Sequence, residues 1–168
     1  ATVAGANEVE IVFTPEDQSL NRNDEFLYTL LVPDRARTLF PCFDQPDLKA
    51  SFNLSLQIPA EWVAVSNSPQ HPEQPQQPES ASKYVTFNPT EPLSTYLFSF
   101  VAGKFTKETY TGNGHTFAAY HRETEPYKVA QLPTIFKQVA MSLDWMEDYT
   151  GVPYPFAKYD FIILPGFQ

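Results

Sequence analysis

The chain has 168 residues, 42% of them hydrophobic and 15% aromatic, enough to bury a core as one domain or as one domain plus part of another. Its formal charge of -9 excludes nucleic acid and anionic membrane surfaces as partners, because both demand clustered Lys and Arg. No stretch approaches the roughly 18 consecutive apolar residues that would carry a helix across a bilayer.

The N-terminal stretch from Ala1 to Gly5 carries neither a basic region nor a long apolar run, so no signal peptide shows there. Val9, Ile11 and Phe13 alternate with polar neighbours and predict a first strand. Asn21-Arg22-Asn23-Asp24 then predicts a polar turn before an internal strand from Phe26 to Val32, which is apolar on both faces. Phe40-Pro41-Cys42-Phe43-Asp44-Gln45-Pro46 follows, a turn held by two prolines and carrying two aromatics, an acid and the only cysteine. One cysteine excludes an internal disulfide and a cysteine-based zinc cluster, and the thiol reads as a small apolar group rather than a nucleophile. Asp44 would be costly to bury alone, so it predicts a structural pairing with backbone amides or with Arg37.

Leu48, Ala50, Phe52, Leu54, Leu56 and Ile58 alternate with polar residues and predict one long strand that ends at Pro59. Pro69, Pro72, Pro75 and Pro78 recur every third residue, the period of polyproline II, and so place four rings on one stripe. That stripe reads as an extended surface loop, with a ligand for an aromatic groove as the second reading. Tyr84 to Phe87 and Tyr96 to Ala102 predict two more strands. Lys104 to Tyr110 and Thr116 to His121 flank Gly112-Asn113-Gly114, a hairpin turn by its Asn-Gly step.

Beyond Thr124 the period changes. Leu132, Phe136, Val139, Ala140, Leu143 and Met146 follow helical spacing, and Gly151 predicts the stop. A helix from Pro133 to Thr150 is about 27 Å long. Tyr159 to Leu164 then predicts a strand buried on both faces. The fold class expected from these residues is mainly β with a C-terminal α/β portion: antiparallel, sandwich-like sheets followed by one long helix and a strand. The boundary falls between residues 1–123 and 124–168.

Chemistry is sparse. His115 and His121 share parity but stand about 20 Å apart on a straight strand, too far for one metal. His71 lies in the proline loop, exposed to solvent. Asp144, Glu147 and Asp148 share a helical face, which reads as solvated. Neither a His-Glu-x-x-His pair, a phosphate loop nor a nucleophile elbow occurs.

Arg35-Ala36-Arg37-Thr38-Leu39-Phe40-Pro41-Cys42-Phe43-Asp44-Gln45-Pro46, followed by Leu48-Lys49-Ala50-Ser51-Phe52, resembles the signature of the aminopeptidase N family of zinc metallopeptidases, with Gln45 in place of a glutamate. Glu147-Asp148-Tyr149-Thr150-Gly151-Val152-Pro153-Tyr154-Pro155 and Lys158-Tyr159-Asp160-Phe161 resemble the family's lead into its catalytic domain. The resemblance implies a saddle-shaped β domain missing its first strands, then the opening helix and strand of a thermolysin-like domain. It implies that a Gly-x-Met-Glu-Asn-type loop and the zinc-binding His-Glu-x-x-His lie beyond Gln168, so that zinc belongs to a longer parent protein and not to this stretch. It assigns no catalytic, substrate-binding or metal residue here. Leu30 and Val32 stand where many members place glutamate or glutamine to help anchor the substrate amine. The partners implied are a peptide substrate and the rest of the catalytic domain, with self-association through uncovered sheet edges. An independent β-sandwich binding module is the alternative.

Overall fold

The computed structural model describes residues 4–72 and 81–164. Its order is β1 (Leu20–Arg22), β2 (Phe26–Thr29), β3 (Lys49–Ala50), β4 (Ser55–Pro59), β5 (Val63–Ser66), β6 (Ser82–Thr86), β7 (Leu93–Ser94), β8 (Phe100–Gly103), β9 (Thr106–Gly112), β10 (His115–His121), α1 (Pro126–Val129), α2 (Leu132–Thr150) and β11 (Tyr159–Ile163). The architecture is mostly antiparallel β-sheet with one long helix and a C-terminal strand.

The layers follow from strand parity. A four-stranded sheet runs β1-β2-β8-β5 and a three-stranded sheet runs β11-β10-β9. Phe26, Tyr28 and Val65 on one face of the first sheet meet Phe105, Ala118 and Tyr120. Residues of the opposite parity, Ala64 and Ala102, pack instead on Ile58, Trp62, Val85 and Phe87, from the β4–β6 ribbon and its flanks. On the far face of the second sheet Phe117 and Ala119 receive Leu132, Phe136 and Ala140 of α2. Ribbon, sheet, sheet and helix therefore stack in that order, each using one parity of its neighbour.

The hairpin between β9 and β10 closes on Asn113 and Gly114 with φ of 54° and 80°, the left-handed pair that a type I′ turn demands. Gly151 ends α2 at φ 67°, its N–H donating to the Glu147 carbonyl at 2.8 Å. Pro133 sits in the first turn, where a missing N–H costs nothing.

Several expectations are corrected. Val9, Ile11 and Phe13 form no strand and are 72%, 54% and 47% exposed, because no neighbouring strand among the described residues supplies a ladder to that alternation. The Leu48–Ile58 run is not one strand. It divides into β3, paired with β7, and β4, paired with β6. Residues 52–58 keep the alternating burial, and the chain between is held by Phe52 and Leu54 carbonyls accepting from Thr90 and Phe87 N–H groups. Tyr96 to Ala102 divides likewise into a 3-10 turn over Thr95–Leu97 and β8. Tyr159 to Ile163 is a half-buried edge strand, not one covered on both faces, and it pairs in parallel with β10, Phe117 opposite Tyr159. A parallel neighbour needs a crossover, which α1 and α2 provide. Met146, counted in the apolar stripe, is 47% exposed and lies outside the cluster that joins α2 to the sheet. Of the proline stripe, Pro69 and Pro72 flank a surface segment after β5, while Pro75 and Pro78 lie outside the described residues.

Candidate functional site

Three arrangements concentrate the polar chemistry. The first is the turn after β2. Arg37 lies in a 3-10 turn over Ala36–Thr38, which directs its backbone N–H at the Asp44 carboxylate, 3.1 Å away. Thr95 donates its hydroxyl to the other carboxylate oxygen at 2.6 Å, and the Arg37 guanidinium stands 3.9 Å off, mainly bonded to Asp34. The Asp44 side chain is only 5% exposed. The expected pairing with Arg37 and a backbone amide is present. Thr95 went unread because 51 residues separate it from Asp44 and no local pattern links them. Beneath the turn Phe52 stacks on Phe98 with centroids 4.3 Å apart, and Phe40 meets both edge-on. Cys42 packs against this cluster, and burial pushes its thiol up, with Asp44 adding to the rise. A raised thiol holds its proton, which suits an apolar group and not a nucleophile.

The second arrangement corrects the reading of Asp144, Glu147 and Asp148 as a solvated face. The tip of the β9–β10 hairpin docks on α2 there. Asn113 donates its amide to Asp144, and one turn on His115 Nε2 stands 3.4 Å from Glu147. The other Glu147 oxygen accepts the Tyr154 N–H at 2.5 Å. Asp148 alone of the three is exposed. The hydrogen bond from Tyr154 holds the Glu147 carboxyl below its ordinary range, and His115 acts in the same direction. A depressed carboxylate contributes stability that is fully present above its unfolded value and is lost as pH falls through the folded one. Glu147→Gln is therefore expected to lower stability at pH 7, where the ionised carboxylate contributes fully, and to flatten the acid limb, so that the variant and the native chain converge as pH falls below the ordinary carboxylate range. Urea unfolding from pH 7 down through that range checks it. An unchanged acid limb overturns the assignment.

The third is an open groove of about 580 Å³ between the β5–β8 end and the segment leading into β11, with Asn67, Asn88, Glu91, Phe156 and Lys158 among its walls. Lys158 donates to the Ser66 carbonyl at 2.5 Å and pairs with Asp160. Gln70 donates to the Ala64 carbonyl at 2.9 Å. Ala64 and Ser66 share parity on β5, so side chains occupy two acceptors that an incoming strand would use.

Zinc needs three or four converging nitrogen, sulfur or oxygen donors. Among the described residues no three of His, Cys, Asp and Glu converge, and His115 with Glu147 is only a pair. His71 is exposed and His121 buried. These residues do not fit a zinc site.

A family model described as the Peptidase M1 N-terminal domain matches residues 13–97, half of the chain, and so takes in β1 to β7 and the Asp44 turn. The chain belongs to the M1 aminopeptidase family. This M1 segment is 36% identical over 140 residues to Aminopeptidase M1-A of Oryza sativa subsp. japonica, covering 83% of the segment and 15% of that protein. It is 35% identical over 136 residues to the Glutamyl aminopeptidase of Rattus norvegicus, covering 80% and 14%. Aminopeptidase M1 of Arabidopsis thaliana is 34% identical over 140 residues, covering 83% and 15%. The M1 segment thus spans about 15% of the length of the curated relatives it matches. No helix among the described residues is long and apolar enough to cross a membrane.

Proposed function

We propose that the M1 segment is a non-catalytic wall and scaffold of a zinc-dependent aminopeptidase, which removes N-terminal residues from peptides. The observation that carries this reading is the pairing of an M1 match with a chain whose described residues bring no metal-binding cluster together. In this reading residues 1–123 form the saddle-like domain and residues 124–168 open the catalytic domain, with zinc and the amine-gripping loop supplied by a longer polypeptide. The change from antiparallel pairing to a β10–helix–β11 crossover near Glu123 supports that division. Val32 is half exposed beside the signature turn and Leu30 is half-buried. Neither side chain can hydrogen-bond an ammonium, so the longer enzyme either anchors the amine through its loop alone or has a shifted substrate preference.

The test is metal analysis of the purified segment together with hydrolysis of amino-acid amides. The expected result is no stoichiometric zinc and no turnover, with a His-Glu-x-x-His encoded downstream of Gln168. One zinc per chain, or turnover by the segment alone, overturns the proposal.

A further inference from the structure

His121 ends β10 and is 3% exposed. Its Nδ1 accepts the Glu123 N–H at 3.2 Å, so that nitrogen carries no proton and the ring N–H is at Nε2. Nε2 is buried and has no hydrogen-bond partner among the described residues. A buried donor left unmet is destabilising, and native structures rarely keep one without a reason. The ring lines a cavity of about 200 Å³ between the β10–β11 end and the α1–α2 corner. Its aliphatic walls are Val129, Leu132, Ile135 and Ile163, and Glu123, Lys128 and the exposed Gln131, whose amide donates to the Tyr127 carbonyl, also line it.

Charge narrows what fits. Lys128 is already paired with Glu123 at 3.1 Å and with Glu125 at 3.3 Å, so two carboxylates face one ammonium at the rim. An anion would meet excess negative charge there. The interior offers one N–H donor and aliphatic walls, which a neutral oxygen acceptor carrying a branched aliphatic group matches. We propose that the His121 cavity is a binding site for a peptide backbone carbonyl together with the aliphatic side chain beside it. The proposal is independent of the zinc-aminopeptidase reading, because it concerns a cavity apart from the Asp44 turn and from the groove at Lys158.

The experiment titrates the folded segment with N-acetyl-L-leucine methylamide while the His121 ring nitrogens are followed by NMR. The Nε2 resonance is expected to move saturably, with a Kd on the order of 1 mM. His121→Phe keeps a ring and deletes the donor, and should weaken binding at least tenfold. Ile135→Trp fills the cavity without touching the imidazole and should do the same, which keeps the test decisive if the His121 variant fails to fold. N-acetyl-L-leucine, bearing a carboxylate, should bind at least tenfold more weakly than the amide. An unmoved Nε2 resonance, equal binding by both variants, or equal binding of the charged probe overturns the site in favour of a cavity that holds water only. Repeating the titration on a polypeptide extended past Gln168 identifies the source of the carbonyl. Retained probe binding points to a separate peptide. A bound-like Nε2 resonance without probe points to a later part of the same chain.

Discussion

Replacing Asp44 with alanine is expected to lower the folding free energy by about 3 kcal/mol, a large share of the roughly 5–15 kcal/mol that holds a domain together. The carboxylate is 5% exposed and accepts from the Arg37 N–H and the Thr95 hydroxyl. Its removal leaves Thr95, itself 4% exposed, with a buried hydroxyl and no acceptor, and frees the turn over Ala36–Thr38 from its tie to residue 44. Asp44→Asn keeps an acceptor without the charge, so it should lose less. Thr95→Val in the Asp44→Ala background removes the orphaned hydroxyl and should recover part of the loss, giving a coupling energy of about 1–2 kcal/mol in a double-mutant cycle. Urea midpoints at pH 7 measure all five proteins, the Thr95→Val single variant included. Equal melting temperatures for Asp44→Ala and the native chain would show that the turn is held by its prolines and aromatics alone.

That result would also bear on why the turn reads so clearly as sequence. Its composition reports local geometry, with two prolines restricting the backbone and Phe40 placed to reach the Phe52 and Phe98 rings. Local geometry is legible wherever few residues decide it. Asn113-Gly114 and Gly151 are read correctly because only left-handed backbone suits those turns, and the alternation over residues 52–58 survives in burial. Legibility fails where a distant element decides. Val9, Ile11 and Phe13 have the pattern of a strand and, among the described residues, no neighbour to pair with. Asp144 and Glu147 have the pattern of a wet face until a hairpin tip some 30 residues away docks on them. The parallel pairing of β11 with β10 has no local signature, since its register is set by the crossover and by which face of each strand α2 must cover. The M1 signature was legible as family, yet the partner that satisfies its central acid was not, because Thr95 is supplied by another turn of the fold.

The largest loss is expected at Phe117, where alanine should cost about 4 kcal/mol. The ring has no exposed surface, stands 5.5 Å from Tyr159 and 6.3 Å from Tyr110, and belongs to the cluster that joins α2 to the β9–β11 sheet. Helices of this length gain most of their stability from an apolar face packed on something else, and Phe117 lies in the middle of what α2 packs on. The cavity left behind borders strand, neighbouring strand and helix at once, so no single side chain can close it. Phe117→Leu refills most of the volume and should cost less than about 1.5 kcal/mol. Met141→Ala, on the 68% exposed side of α2, should stay within about 0.5 kcal/mol. If the alanine variant is too unstable to isolate, the leucine and Met141 variants still fix the order. Chemical denaturation followed by far-UV circular dichroism should show helix and sheet lost together in a single transition, because the same cluster serves both. A Phe117→Ala loss below about 1 kcal/mol, or helix melting apart from the sheet in the native chain, would mean that α2 rests on its hairpin-tip contacts at Asp144 and Glu147 and not on the aromatic layer beneath it.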